Sequence, residues 1–539
     1  MNPRAFLEKY DFLIPLTLFI LFLTLTLPGI TWGAPDMWHP DEIVVRSIKA
    51  LHGEWKFSEI NFDYPDLPQY AMFWLGKIIL ALGQTNKEVL IASRVLSAVL
   101  AGLTVGLTYI ITRRSGGSIY VAGLSSLLLI CVSEMEHNGR FAHNDTYLVF
   151  FTTLAVLFVI EYFKRQSKIW LYASFITVGM AASSKYIGGS LVILPLLVYL
   201  VRQWKNFRKE PLAVAETLFM GSALTFLGFA VGTPKALFWM TYYFKRVFAA
   251  LQWQVAYGRQ PDSVRGFIGQ YGVMAEGLGP IVLLFGAALL WAGWQVLKGY
   301  RRNEINQSTP NGVFALLLSA ILILDLPMLA SYNYQLRYFL TLMPLLAVLT
   351  AFFLEYLYKE AKQRNQVYRW LVGASVSMLV LYSLARIISV MLLVMNDARI
   401  PASEFLKTLP EGTSLEHTYY PPSFPGDRFE REHNYPIYFV KEGEPLPTSK
   451  QYKYNDGEAG LDDRQTDYLV TDSFTYQRFS DPYICANMQT ECDFFKQLET
   501  GQSNHYKLIA EFSYTLPAYL PDITANYINP VIRVYERIP

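Results

Sequence analysis

Three cysteines in 539 residues exclude a disulfide-stapled scaffold. The sequence also lacks a P-loop, a dinucleotide-type glycine fingerprint, an internal repeat and any low-complexity tract, so a soluble nucleotide donor has no obvious place to bind. Charge is scarce: 17% of residues are charged against 52% hydrophobic and 15% aromatic, and the mean hydropathy is above zero. That balance is too apolar for an ordinary soluble enzyme of this length. The net charge of +2 says little in itself, and no nucleic-acid partner is expected. What matters is where the lysines and arginines fall.

Apolar runs long enough to cross a bilayer recur through the first 395 residues or so and then stop. We expect about eleven spans, near residues 12–31, 89–112, 118–134, 146–163, 169–184, 187–201, 212–232, 277–297, 312–331, 338–356 and 370–395. The first follows Arg4 and Lys9 and is read as an uncleaved span, because it is too long for a signal core and no small-x-small site follows. With the N-terminus cytoplasmic, the even-numbered loops carry Arg113/Arg114, Lys164/Arg165/Lys168, Arg202/Lys205/Arg208/Lys209, Lys298/Arg301/Arg302 and Lys359/Lys362/Arg364. The positive-inside rule then puts loops 32–88, 134–145 and 233–276 outside, together with the tail. The expected fold is a membrane all-α bundle over residues 1–396, with a small extracytoplasmic α/β domain over 397–539. The expected location is the plasma (inner) membrane.

In the tail, Pro401–Leu406 reads as helix, and Tyr468–Val470, Leu508–Ala510 and Val531–Tyr535 as strands, with Tyr419–Asp463 irregular. Cys485 and Cys492, seven apart, would form one local disulfide in an extracytoplasmic tail, with two free thiols the alternative. Cys131, in an apolar run, reads as inert.

Chemistry is sought first at His39-Pro40-Asp41-Glu42, an acidic pair just beyond the first span. Carboxylates are costly at a membrane face unless they do something, and adjacent ones cannot both face one point, so Asp41 and Glu42 are expected to have different roles. An acidic helix cap after Pro40 is the structural alternative. The same loop holds Tyr64-Pro65-Asp66, and a second acidic loop runs from Glu134 to Asp145 with Arg140 and His143. Lys185, beside Tyr186, and Arg337 lie at outer edges of spans, suited to phosphate oxygens or to plain snorkelling. Loop 233–276 interleaves Lys235, Lys245, Arg246, Arg259 and Arg265 with six aromatics and reads as an interfacial helix able to meet anionic membrane lipids. No recognisable metal-ligand spacing is present, which leaves a divalent cation at Asp41, His143 and Asp145 as an open alternative to a site without cofactor.

Asp41-Glu42, Ala50-Leu51, Gly53, Tyr64 to Pro68, Arg140 to Asp145, Arg337-Tyr338 and Pro344 together resemble the polyprenyl-phosphate-sugar-dependent glycosyltransferases of the GT-C fold. The branch is that of the protein O-mannosyltransferases and the lipid A aminoarabinose transferase. Asp467 to Asp472 and Pro530 to Tyr535 are similar to the soluble domain of bacterial members. The resemblance implies a hexosyl- or pentosyltransferase that moves a sugar from a polyprenyl-phosphate donor to a hydroxyl of a lipid, glycan or protein acceptor at the outer membrane face. It implies Asp41 as general base, inverting the anomeric carbon. It also implies that Lys185, Arg337, Arg246 and Arg265 hold the departing phosphate, while Tyr64, His143 and Asp145 contact sugar or acceptor. Rival readings are a flippase of lipid-linked sugars, disfavoured because polar positions gather at the outer edge rather than mid-membrane, and a non-catalytic membrane subunit.

Overall fold

The computed structural model describes residues 11–57, 64–207, 209–256, 267–302, 309–329, 335–424, 432–434, 466–523, 525 and 527–539. The chain divides into two compact units: the first comprises Met1–Ile30 and most of Asp41–Ile388, and the second Thr31–Pro40 and Ser389–Pro539. The division falls between Pro40 and Asp41, inside the motif that first drew attention. The expected boundary at 396/397 lies eight residues beyond the observed one.

The first unit is a helical bundle. Among the described residues, eight helices are long and apolar enough to cross a bilayer: Asn86–Arg114, Asp145–Arg165, Tyr186–Trp204, Pro211–Gly232, Ile281–Arg301, Pro310–Leu329, Leu336–Arg364 and one beginning at Gln366. Three expected spans differ in kind. Leu13–Thr26 is a 14-residue helix, Lys168–Ser184 has 17 residues, and the third is a pair, Ile119–Ile130 and Ser133–Gly139, bent by 64°. The bend falls at a break at Cys131-Val132, after which Ser133–Gly139 carries Glu134 and Glu136 in its first turn.

Loop 32–88 holds two helices: Val44–Leu51, which follows the acidic pair as the structural alternative allows, and Leu67–Ala81, which the sequence reading does not anticipate. The second starts at Leu67-Pro68, with proline in the first turn where its missing N–H costs nothing. Loop 233–276 holds Lys235–Phe238, Met240–Ala256 and the start of Phe267–Leu278. On it Phe238, Phe244 and Phe248 are exposed, as the interfacial reading requires, while Lys235 is buried and so is no lipid-facing cation. Lys168–Ser184 and Pro211–Gly232 pack backbone to backbone: a Cβ on Gly179 would lie 2.1 Å from the Thr225 carbonyl oxygen, and one on Gly228 2.2 Å from that of Ile176.

The second unit is built on a five-stranded mixed sheet of order β2-β1-β3-β5-β4. Its strands are β1 Leu415–His417, β2 Glu432–Asn434, β3 Tyr468–Asp472, β4 Tyr506–Phe512 and β5 Ile532–Arg537. β1 pairs in parallel with β2 and β3, and β5 runs antiparallel to β3 and β4. All three expected strand runs are present, and the expected helix is Arg399–Leu406. β2 falls in the segment expected to be irregular, most of which lies outside the described residues. Arg399 is fully buried, forked onto Asp397 at 3.0 and 2.8 Å and held between the rings of Trp32 and Trp38 at 4.9 and 4.6 Å. This contact accounts for Thr31–Pro40 joining the second unit. Cys485 and Cys492 are bonded, joining Pro482–Asn487 to Gln489–Thr500.

Candidate active site

Backbone pairing brings the two acidic loops together. The Ile43 N–H donates to the Ala142 carbonyl at 3.1 Å, and the Ala142 N–H donates to Glu42 Oε1 at 3.0 Å. Glu42 is 3% exposed and takes Arg94 Nε and Nη2 at 2.8 and 2.7 Å, a bidentate pair that is charge-assisted and well desolvated. Arg94 also donates to the Ile30 carbonyl at 2.9 Å. Both oxygens of Glu42 thus accept from protein donors, and the carboxylate ties the first loop to the second.

Asp41, its neighbour, is left on the other side. Its Oδ2 accepts from Arg337 Nη1 at 2.7 Å across 296 residues of sequence, and its side chain is 26% exposed. Beside it, Lys185 Nζ donates to Asp145 Oδ1 at 2.7 Å, while Asp145 Oδ2 lies 2.9 Å from His143 Nδ1. Tyr338 sits between the cations, with Lys185 4.7 Å and Arg337 5.7 Å from its ring, a cation–π arrangement that holds both heads. Arg337 and Lys185 occupy equivalent places. Lys185 immediately precedes the short 3₁₀ helix Tyr186–Val192, and Arg337 is the second residue of Leu336–Leu342; each 3₁₀ helix runs directly into a span. Such tight turns at the end of a longer helix fix the direction in which these residues project.

Tyr64 belongs to the same cluster. Burial pushes its phenol above the ordinary value, with the charges of Lys185 and Arg337 opposing and those of Asp41 and Asp145 reinforcing, so the hydroxyl is neutral at physiological pH. Asp41, Tyr64, Asp145, Lys185 and Arg337, drawn from 296 residues of sequence, lie within electrostatic reach of one another, with His143 behind Asp145. Tyr186 turns away to stack edge-on against Tyr243 at 5.8 Å.

The remaining expected site residues lie apart from this cluster or outside the described residues. Arg140 is 2% exposed and spent inside the fold on Glu136 and on the carbonyls of Leu25 and Pro28, so it is no substrate ligand. Arg246 lies on the helix Met240–Ala256 with its side chain outside the described residues, as is Arg265 altogether. The set left open for a cation is not assembled: among the described residues no three His, Cys, Asp or Glu are grouped to hold a metal ion. Instead the ammonium of Lys185 and the guanidinium of Arg337 supply the positive charge beside Asp145 and Asp41. Sequence reasoning missed Arg94, although an arginine inside an apolar run was the signal. It also missed the buried pair Asp66–Lys235 at 2.9 Å.

Residues 59–251 match the model of the dolichyl-phosphate-mannose-protein mannosyltransferase family. Dolichyl-phosphate-mannose–protein mannosyltransferase 1 of Saccharomyces cerevisiae is 26% identical over 204 residues, 37% of this chain and 22% of that protein. The chain thus spans less than a quarter of that relative's length. An uncharacterised Aquifex aeolicus protein is 25% identical over 370 residues, 66% of this chain and 67% of its own. In structure, the Archaeoglobus fulgidus oligosaccharyltransferase in its apo form aligns with a TM-score of 0.54 at 13% identity, covering 97% of this chain and 76% of that one. Its complex with zinc and sulfate gives 0.52 at 12% identity, over 90% and 71%. Over residues 59–251 the chain therefore carries the sequence pattern of the dolichyl-phosphate-mannose-protein mannosyltransferases, on a fold shared with an oligosaccharyltransferase, in keeping with the GT-C resemblance of its motifs.

Proposed function

We propose that the protein is an integral-membrane glycosyltransferase that moves a sugar from a polyprenyl-phosphate donor to the hydroxyl of a lipid, glycan or protein acceptor. The observation that carries this reading is the meeting of Asp41 with Arg337 at 2.7 Å beside the Lys185–Asp145 pair, a quarter-exposed carboxylate set against two cations. Asp41 takes the proton of the acceptor hydroxyl as its oxygen bonds to the anomeric carbon from the face opposite the phosphate. The bond from that carbon to the phosphate oxygen breaks, its electron pair leaves with the polyprenyl phosphate, and the configuration inverts. Arg337 and Lys185 stabilise the charge growing on the leaving phosphate. Arg337 carries five N–H donors, of which Nη1 holds Asp41. Tyr64 offers a neutral hydroxyl to sugar or acceptor. The placement of basic loops supports a cytoplasmic N-terminus, which puts this site and the tail at the outer face of the inner membrane.

Purified protein given a labelled polyprenyl-phosphate sugar and a panel of hydroxyl acceptors should transfer label with inversion, without nucleotide and in the presence of chelator. Transfer from a nucleotide sugar but not from the lipid-linked one would refute the reading. Arg337→Met removes both the phosphate ligand and the group that orients Asp41, and is expected to lower kcat by about 100-fold, the usual loss for one preorganised charge-stabilising donor. Arg337→Lys should recover only part of this, because an ammonium cannot fork between carboxylate and phosphate.

A further inference from the structure

One buried ion pair takes no part in the chemistry above. Asp66 and Lys235 lie 2.9 Å apart with side chains 3% and 5% exposed, an arrangement whose desolvation cost is large and which is therefore better explained by what it fixes in place than by net stability. A chain of hydrogen bonds leads from it toward the site. The Asp66 N–H donates to Thr233 Oγ1 at 3.1 Å, and Thr233 Oγ1 lies 2.7 Å from Ser183 Oγ. Either hydroxyl can donate in the Thr233–Ser183 bond, since the threonine oxygen keeps a second lone pair after accepting from the Asp66 N–H. Ser183 stands two residues before Lys185, whose N–H caps the same helix on the Ala181 carbonyl at 3.0 Å. The approach is as close as it can be made: a Cβ on Gly232 would lie 2.3 Å from Ser183 Oγ and 2.5 Å from Leu67 Cδ1, so only glycine lets these three chain segments meet.

We infer that Asp66, acting through Lys235, Thr233 and Ser183, is a positioning residue that holds Lys185 against Asp145. This rests on the transferase reading only for its effect on turnover. Burial pushes the Asp66 carboxyl up to about 6, against the pull of Lys235 and then of Arg46. The phenols of Tyr70 and Tyr243 also face it, each raised in part by its charge. As pH falls through about 6 the carboxylate takes a proton, the pair with Lys235 is lost, and the alignment of Lys185 relaxes.

Two readouts on the full-length protein test this. In the transfer assay, Asp66→Asn and Thr233→Val should each lower kcat roughly 10- to 100-fold, as expected for a small misplacement of a charge-stabilising group, with Thr233→Ser near wild type. Asp66→Asn should also lack the wild-type activity loss near pH 6. Independently of turnover, acetic anhydride labelling followed by mass spectrometry should modify Lys185 about tenfold faster in Asp66→Asn and Thr233→Val than in wild type, because an ammonium released from its carboxylate deprotonates more readily. Unchanged labelling of Lys185 in both variants overturns the inference. Faster labelling with no transfer by wild type overturns the transferase reading and leaves the positioning of Lys185 standing.

Discussion

Glu42→Gln is expected to destabilise the first unit by about 3–5 kcal/mol, the loss found when one member of a buried ion pair is removed and its partner's charge is left uncompensated. Arg94 is 1% exposed, and the Ile30 carbonyl that it also meets does not neutralise it. Against a total stability of some 5–15 kcal/mol this is a large fraction. At a few degrees per kcal/mol, the midpoint of thermal unfolding in detergent should fall by about 10 °C. Activity lost in this variant should be lost with the fold: at low temperature, the folded fraction should turn over at close to the wild-type rate. Joint replacement of Glu42 and Arg94 by Gln and Met should cost less than Glu42→Gln alone, since no buried charge is then left without a partner. A melting midpoint unchanged in Glu42→Gln would show that the pair does not carry the load assigned to it.

Asp41→Asn is expected to behave in the opposite way. Asp41 is a quarter exposed and Arg337 keeps the charge of Asp145 nearby, so the loss should leave the melting midpoint within a degree or two of wild type. Transfer should nevertheless fall by about 10²–10⁴-fold, the range for removal of a positioned general base. The amide still accepts a hydrogen bond from Arg337, so phosphate binding should persist, and the loss should appear in kcat rather than in KM.

Much of this site could be read in the sequence because its members interrupt apolar runs or bound them. Asp41, Asp145, Lys185 and Arg337 each stand where a charge is expensive, and Tyr64 lies in a loop too long to be a mere connection. What could not be read was which charge answers which. Glu42 and Asp41 are adjacent in the chain, yet one faces Arg94 and the other Arg337, 52 and 296 residues away, and no local pattern distinguishes them. Arg140 looked like a ligand in a polar loop for the same reason, since the carbonyls that consume it lie at Leu25 and Pro28. The expected spans and the observed helices differ where helices are short or broken. Leu13–Thr26 has 14 residues, and Ile119–Gly139 bends by 64° within one apolar run, a change of direction invisible to hydropathy. The strands of the tail were legible from their β-branched and aromatic runs, except for β1 and β2, which at three residues each are too short to show periodicity.

The central claim is that two adjacent carboxylates divide the labour, Asp41 doing chemistry and Glu42 holding the fold. It is tested most directly by measuring single-turnover transfer from a labelled polyprenyl-phosphate sugar, and the melting midpoint, in Asp41→Asn and Glu42→Gln side by side. The account predicts a wild-type melt with transfer reduced at least 100-fold for Asp41→Asn, and a lowered melt with near wild-type transfer by the folded fraction for Glu42→Gln. Transfer by Asp41→Asn within tenfold of wild type, with its fold intact, would contradict it.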